Sequence, residues 1–157
     1  MKSTTKILGL FLFVTLFTLT SCHKKSDDDT QDDSTGNKIT LKIDNEPEIT
    51  FTNVTGSALS GQLVMGGSNS NGDIQIIVNA DISEGTYTSA NQVLMSHGVN
   101  SQAVFTTATN VTSISFVVTT HNIASKHIKG TFSLEYNDNQ NVNVTHTATG
   151  TFDVKYR

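Results

Sequence analysis

Cysteine is nearly absent from this chain: of 157 residues only Cys22 is one. No intramolecular disulfide can form, so an exported domain of this sequence must hold itself together by packing. Tryptophan is missing altogether. That removes the side chain most often used as a stacking platform for sugars and leaves eight aromatics from Phe51 to Tyr156, among them Tyr87 just after a glycine turn. Proline occurs once, in the turn Asn45-Glu46-Pro47. From Lys38 onward basic residues are few and scattered, with Lys126 and Lys129 the nearest thing to a cluster. Counterion release by clustered Lys and Arg drives nucleic-acid binding, so nucleic acid is not an expected partner. After Cys22 no window shows the i, i+3, i+4, i+7 apolar face of a helix, and no second long apolar run occurs.

The one apolar run lies at the start. Lys2 and Lys6 precede an uncharged stretch from Ile7 to Leu19, which ends in Leu19-Thr20-Ser21-Cys22. The stretch is short for a membrane span, which needs roughly 20 apolar residues. A basic start, an apolar middle and a small-residue end fit a cleaved signal. The layout resembles a bacterial lipoprotein signal, which implies a signal peptide over residues 1–21 and lipidation of Cys22. More than one acyl chain, at roughly 0.8 kcal/mol per buried methylene, would anchor the chain firmly.

Residues 22–37 read as a disordered acidic tether: no apolar side chain follows Cys22 before Lys38, and five carboxylates fall within Asp27 to Asp33. A cysteine followed by Lys24, Lys25 and the run Asp27, Asp28, Asp29 resembles the surface-export signal of Bacteroidota lipoproteins, with Ser26 interrupting the pattern. This resemblance implies a lipid-anchored protein of the outer membrane facing the cell exterior, with the periplasmic face as the alternative. Asp33-Ser34-Thr35 is similar to the short acceptor for O-glycans in the same bacteria, which implies Ser34 as the modified residue. Loss of Lys2 and Lys6 with the signal leaves eight basic against fourteen acidic residues, net −6. From Lys38 onward the balance is six against nine, net −3.

Residues 38–157 are enough for one self-sufficient core. Alternation of period two runs through them: Ile39, Leu41 and Ile43; Ile49 and Phe51; Ile74, Ile76, Val78 and Ala80, broken by Ile77; Ile114, Phe116 and Val118; Phe132, Leu134 and Tyr136; then Val142, Val144 and His146, and Phe152, Val154 and Tyr156. This is the pattern of strands with one face inward. Gly66 to Gly72, Ser83 to Gly85 and Asn137 to Gln140 supply turn residues between them. The expectation is an all-β domain of about eight to ten strands, antiparallel, built as a β-sandwich or a flattened β-barrel.

Gly85-Thr86-Tyr87, Gly130-Thr131-Phe132 and Gly150-Thr151-Phe152 echo one another, and the last two continue in parallel to Tyr136 and Tyr156. If those two strands pair, Glu135 and Lys155 are expected to oppose each other. The terminal Gly150-Thr151-Phe152-Asp153-Val154-Lys155-Tyr156 resembles a family of small Bacteroidota cell-envelope lipoproteins ending in a Gly-x-Phe-Asp-Val-x-Tyr strand. Members commonly carry a tryptophan after the first strands, where this chain holds Ile49 and Phe51. The resemblance implies location and fold but no activity.

Chemistry is harder to find. His23, His97, His121, His127 and His146 match no common zinc spacing, and each reads as exposed or locally bonded. The one joint site conceivable from spacing is His121, His127 and an acid such as Asp138. There is no Gly-x-Ser-x-Gly elbow, the Cys22 thiol is consumed by lipid, and Gly66-Gly67 precede no helix that would cradle a phosphate. No catalytic residue, metal or cofactor is expected. The reading is a non-enzymatic module that contacts an extracellular or periplasmic glycan or protein through loops, above all Gly66 to Gly72 and His121 to Lys129. Two alternatives stand beside it: a small-ligand carrier with a barrel cavity, and a hydrolase with a dispersed acid/His site.

Overall fold

The computed structural model describes residues 36–157. The signal peptide, Cys22, Lys24, Lys25, Asp27 to Asp29 and Ser34 lie outside the described residues. Eleven strands follow: β1 (Lys38–Ile43), β2 (Ile49–Phe51), β3 (Val54–Leu59), β4 (Gln62–Asn69), β5 (Gly72–Asn79), β6 (Gly85–Tyr87), β7 (Val93–Val99), β8 (Gln102–Thr106), β9 (Val111–Asn122), β10 (His127–Asn137) and β11 (Thr145–Lys155). They form two antiparallel sheets, ordered β2-β1-β11-β10-β9-β6 and β3-β4-β5-β7-β8, packed together and not closed into a barrel. The domain is therefore a β-sandwich. The strand number slightly exceeds the expected eight to ten, and β6, three residues long, is too short to show a period.

Alternation decides which side chains meet. Along β10, Ile128, Phe132, Leu134 and Tyr136 point inward while Lys129, Thr131, Ser133 and Glu135 face solvent. Phe51, Phe105, Phe116 and Phe152 are fully buried with Ile39, Leu63, Met65 and Ile76, and the Phe116 and Phe152 rings stack at 4.7 Å, 3° apart. The sheets do not close into a barrel, so the barrel cavity of the carrier alternative is not formed among the described residues.

The Gly-Thr-Phe echo has a structural meaning. In the β10–β11 ladder Gly130 lies opposite Phe152, and Phe132 opposite Gly150. Each ring lies over the other strand's glycine. A Cβ on Gly130 would meet the Phe152 ring and the Val117 carbonyl, and one on Gly150 the Phe132 ring and the Thr40 carbonyl. The two strands thus exchange glycine for aromatic twice, about a local two-fold.

Three expectations fail here. Glu135 opposes Thr147 and Lys155 opposes His127, because antiparallel pairing places equivalent positions of the two strands at opposite ends. Gly66 and Gly67 are strand residues, and only Ser70-Asn71 form the turn between β4 and β5. Val142 and Val144 are exposed in the β10–β11 connection rather than strand residues, since Asp138 caps that connection by accepting from the Gln140 and Asn141 amides.

The two edges of the five-stranded sheet are tied to neighbouring segments, in part by amide side chains. Asn37 donates to the Val54 and Lys155 carbonyls and accepts from the Lys155 amide, tying β3 to β11. The Arg157 backbone pairs with Gly56 and Ala58 along the same edge. At the other edge Asn110 donates to the Val104 and Asn137 carbonyls and accepts from the Thr106 amide. Asn139 donates to the Ala103 carbonyl at 2.6 Å.

Candidate functional site

The segment between β5 and β7 leaves the five-stranded sheet, lends β6 to the edge of the other sheet beside β9, and returns. That excursion raises one wall of an open cleft of about 360 Å³ over the outer face of β4, β5 and β7. Ile77, Asn79 and Leu94 come from the sheet, Gln62 from β4, and Asp81, Ser83, Tyr87, Asn91 and Gln92 from the excursion. Ile82 is buried and pins the excursion to the core.

The cleft is held in shape from beneath. The Tyr87 hydroxyl donates to the Ser83 carbonyl at 2.8 Å, which fixes the ring. The Ser89 side chain accepts from the Asn91 amide, and the Ser89 carbonyl accepts from Gln92. His121, on β9, reaches across. A carbonyl only accepts, so its Nδ1 donates to the Ile82 carbonyl at 2.6 Å, and Nε2 accepts from the Tyr156 hydroxyl at 2.8 Å. His121 is thus a positioning residue for the cleft wall.

A second polar cluster sits at another part of the molecule. His146 Nδ1 lies 2.6 Å from Asp44 Oδ2, its Nε2 lies 3.7 Å from Asp138, and its ring stacks on Tyr136. The imidazole is held above its ordinary value, chiefly by the hydrogen bond to Asp44. Asp44 is lowered by the Thr147 amide and by His146. Asp138 is lowered by the Gln140 and Asn141 amides. Burial pushes the Tyr136 hydroxyl up to about 12. Among the described residues this is the place where two carboxylates and a histidine converge, as the hydrolase alternative requires. Yet Asp44 Oδ1 accepts from the Thr147 amide and hydroxyl, and Asp138 Oδ1 caps the connection to β11. Both ring nitrogens face carboxylates. The cluster is spent on fastening the connections around β1 and β11.

The site conceived from spacing is not assembled. His121 pairs in register with Ile128 on the inward side, whereas His127 faces outward and bonds Asp153 at 2.6 Å, and Asp138 belongs with His146. Burial alone would raise Asp153, but His127 and Lys129 together outweigh it and hold the carboxyl low. His97, expected to be exposed or locally bonded, is 1 % exposed, between Phe51 and Phe105, and its Nδ1 donates to the Asp73 carbonyl on the next strand. Burial lowers its affinity for a proton. Among the described residues no group of three or more His, Cys, Asp and Glu is placed to hold a metal ion.

The contact loops expected from turn composition, Gly66 to Gly72 and His121 to Lys129, do not line the cleft; of them only His121 serves it, from behind. The signal that could have found the site is a triplet. Leu63-Val64-Met65, Ile76-Ile77-Val78 and Val93-Leu94-Met95 are each three apolar residues in a row. In a strand the middle one must face away from the core, and Ile77 and Leu94 do so at the cleft. No family model matches the chain, and neither a curated protein nor a solved structure matches it.

Proposed function

We propose that the protein is a non-enzymatic lipoprotein of the outer membrane, anchored through Cys22 and facing the cell exterior, whose β-sandwich binds a ligand at the cleft beside Tyr87. The observation that carries the reading is a preorganised, open cleft whose lining offers one carboxylate, Asp81, and neither histidine nor lysine. Acid–base hydrolysis of glycosides needs two carboxyl groups across a site, and a nucleophile needs a base within hydrogen-bond reach. Binding is what this lining supports. The anchor rests on Leu19 to Cys22, and the outward face on Lys24, Lys25 and Asp27 to Asp29.

Residues 34–157 form a compact unit whose core contains only residues from Ile39 onward, so they can be tested alone. The purified domain is screened against glycan and protein arrays, and hits are incubated with it and their products analysed. The reading expects a hit that Tyr87→Ala weakens and that is recovered intact. A hit consumed by the domain, or one indifferent to every cleft substitution, contradicts it.

A further inference from the structure

Several asparagines of this domain are used structurally, and a separate set of carboxamides gathers at the cleft. Asn37, Asn69, Asn110, Asn139 and Asn141 use their side chains to bond loops and strand edges. By contrast, Gln62, Asn79, Asn91 and Gln92 line the cleft, and their side chains make no hydrogen bond to another described residue. Asp81, beside them, is equally open. Each carboxamide offers two N–H donors and an acceptor. Four of them converging on one cleft match a ligand whose groups both donate and accept, which is the character of hydroxyls. With no Lys, Arg or His in the lining, an anionic ligand would find no counter-charge, and a single carboxylate is a poor trap for a cation.

The apolar part of the lining has the matching form. Val64 lies opposite Ile77, and Ile77 opposite Leu94, so the middle residues of the three apolar triplets stand in one row across β4, β5 and β7 on the outer face. Leu94 is 43 % exposed. Ile77 and Leu94 also line a second, smaller depression of about 180 Å³ with Gln75, Thr106 and Ala108. The two depressions therefore share Ile77 and Leu94 as a common wall. Backbone groups beneath the cleft are spent in the sheet ladder, so an extended peptide could not add as a strand here, as it would at a sheet edge. Both edges of this sheet are tied to neighbouring segments, in part by Arg157 and by Asn110 and Asn139.

We infer that the cleft takes an uncharged polysaccharide, its hydroxyls bonded by Gln62, Asn79, Asn91, Gln92 and Asp81 and its C–H faces resting on Ile77, Leu94 and the fixed Tyr87 ring. The inference rests on the reading of the cleft as the binding site and adds the class of ligand.

The test is affinity electrophoresis of residues 34–157 through native gels cast with laminarin, galactomannan, arabinoxylan or dextran, and in parallel with polygalacturonate or chondroitin sulfate. Retardation is expected in at least one neutral gel and in neither anionic one. Asn91→Ala and Gln92→Ala should each weaken it by about tenfold, the loss of one neutral hydrogen bond at the upper end of its range. Ile77→Asp should abolish it. Unchanged thermal unfolding of the two amide variants shows that the loss is local. No retardation in any neutral gel, or retardation that the amide substitutions leave intact, overturns the inference. If a protein or anionic polymer is instead held at the cleft and released by Tyr87→Ala, the glycan inference fails while the binding-module reading stands. Self-association in light scattering that Leu94→Asp abolishes would assign the row to a second copy of this chain and also overturn it.

Discussion

His97 and His146 titrate in opposite senses. His97 is lowered from 6.5 by burial, so folding favours its neutral form. Its contribution is present above 6.5 and is lost as pH falls through the lowered value. His146 is raised from 6.5 by Asp44, so its contribution is complete below 6.5 and is lost as pH rises through the raised value. The two windows meet near 6.5, where the pair predicts a stability maximum. Asp44, Asp138 and Asp153, all lowered from 3.8, add a further loss as pH falls through their lowered values. Thermal melts from pH 4 to 9, above the carboxylate range, check the histidine pair: His146→Gln should flatten the decline above 6.5 and leave the His97 decline below 6.5 in place, and an unaltered alkaline limb would refute the assignment. Glycine offers a second test at this scale. Gly150→Ala places a methyl against the Phe132 ring and the Thr40 carbonyl and should cost about 1–3 kcal/mol in urea unfolding. Gly36→Ala, with nothing within 4 Å, should cost nothing measurable. The echo that exposes Gly130 and Gly150 is visible in the sequence, but the reciprocal contact is not, because it depends on a register that only the folded pair sets. His97 was illegible for a similar reason: its partner is a backbone carbonyl 24 residues away.

Strands whose inward residues alternate were legible, as β1, β2, β5, β9, β10 and β11 show. β4 and β7 were not, because Leu63-Val64-Met65 and Val93-Leu94-Met95 hide the period in a continuous apolar run. Where side-chain hydrogen bonds override the period, the reading fails, as at Val142 and Val144 beyond the Asp138 cap. Two of the hairpin turns, Ser60-Gly61 and Asn100-Ser101, place both residues at positive φ, the geometry that matches the twist of the flanking strands. The cleft lay hidden because its polar residues come from an excursion whose path no local pattern predicts. Its apolar row was in plain sight as three triplets, with Ile77 noticed only as a break. The tie at the β8 edge rests in part on Asn110, which bonds at both ends of its amide. Asn110→Ala should cost about 1–3 kcal/mol, since half-buried partners lose their bonds, and hydrogen exchange should quicken at Thr106. Exchange unchanged there would mean that the edge is closed by other contacts.

On the scale of the whole molecule, the sandwich supplies a scaffold that needs no disulfide, and the proposal assigns its delivery to the first 37 residues. The domain's net charge of −3 from Lys38 onward gives it no attraction for anionic lipid, so the proposed attachment depends on Cys22 alone. Replacing Asp27, Asp28 and Asp29 with Ala should lower protease access to the protein on whole cells if the run directs export to the surface; unchanged access would leave it a spacer. The anchoring itself is tested by separating membrane from soluble fractions of cells expressing the wild type or Cys22→Ser. Wild type is expected in the outer membrane with its N-terminus at a lipidated Cys22. Cys22→Ser is expected in the soluble fraction, or as uncleaved precursor in the inner membrane, with the sandwich folded in either case. Wild-type protein retaining Met1, or Cys22→Ser processed and still in the outer membrane, would contradict it.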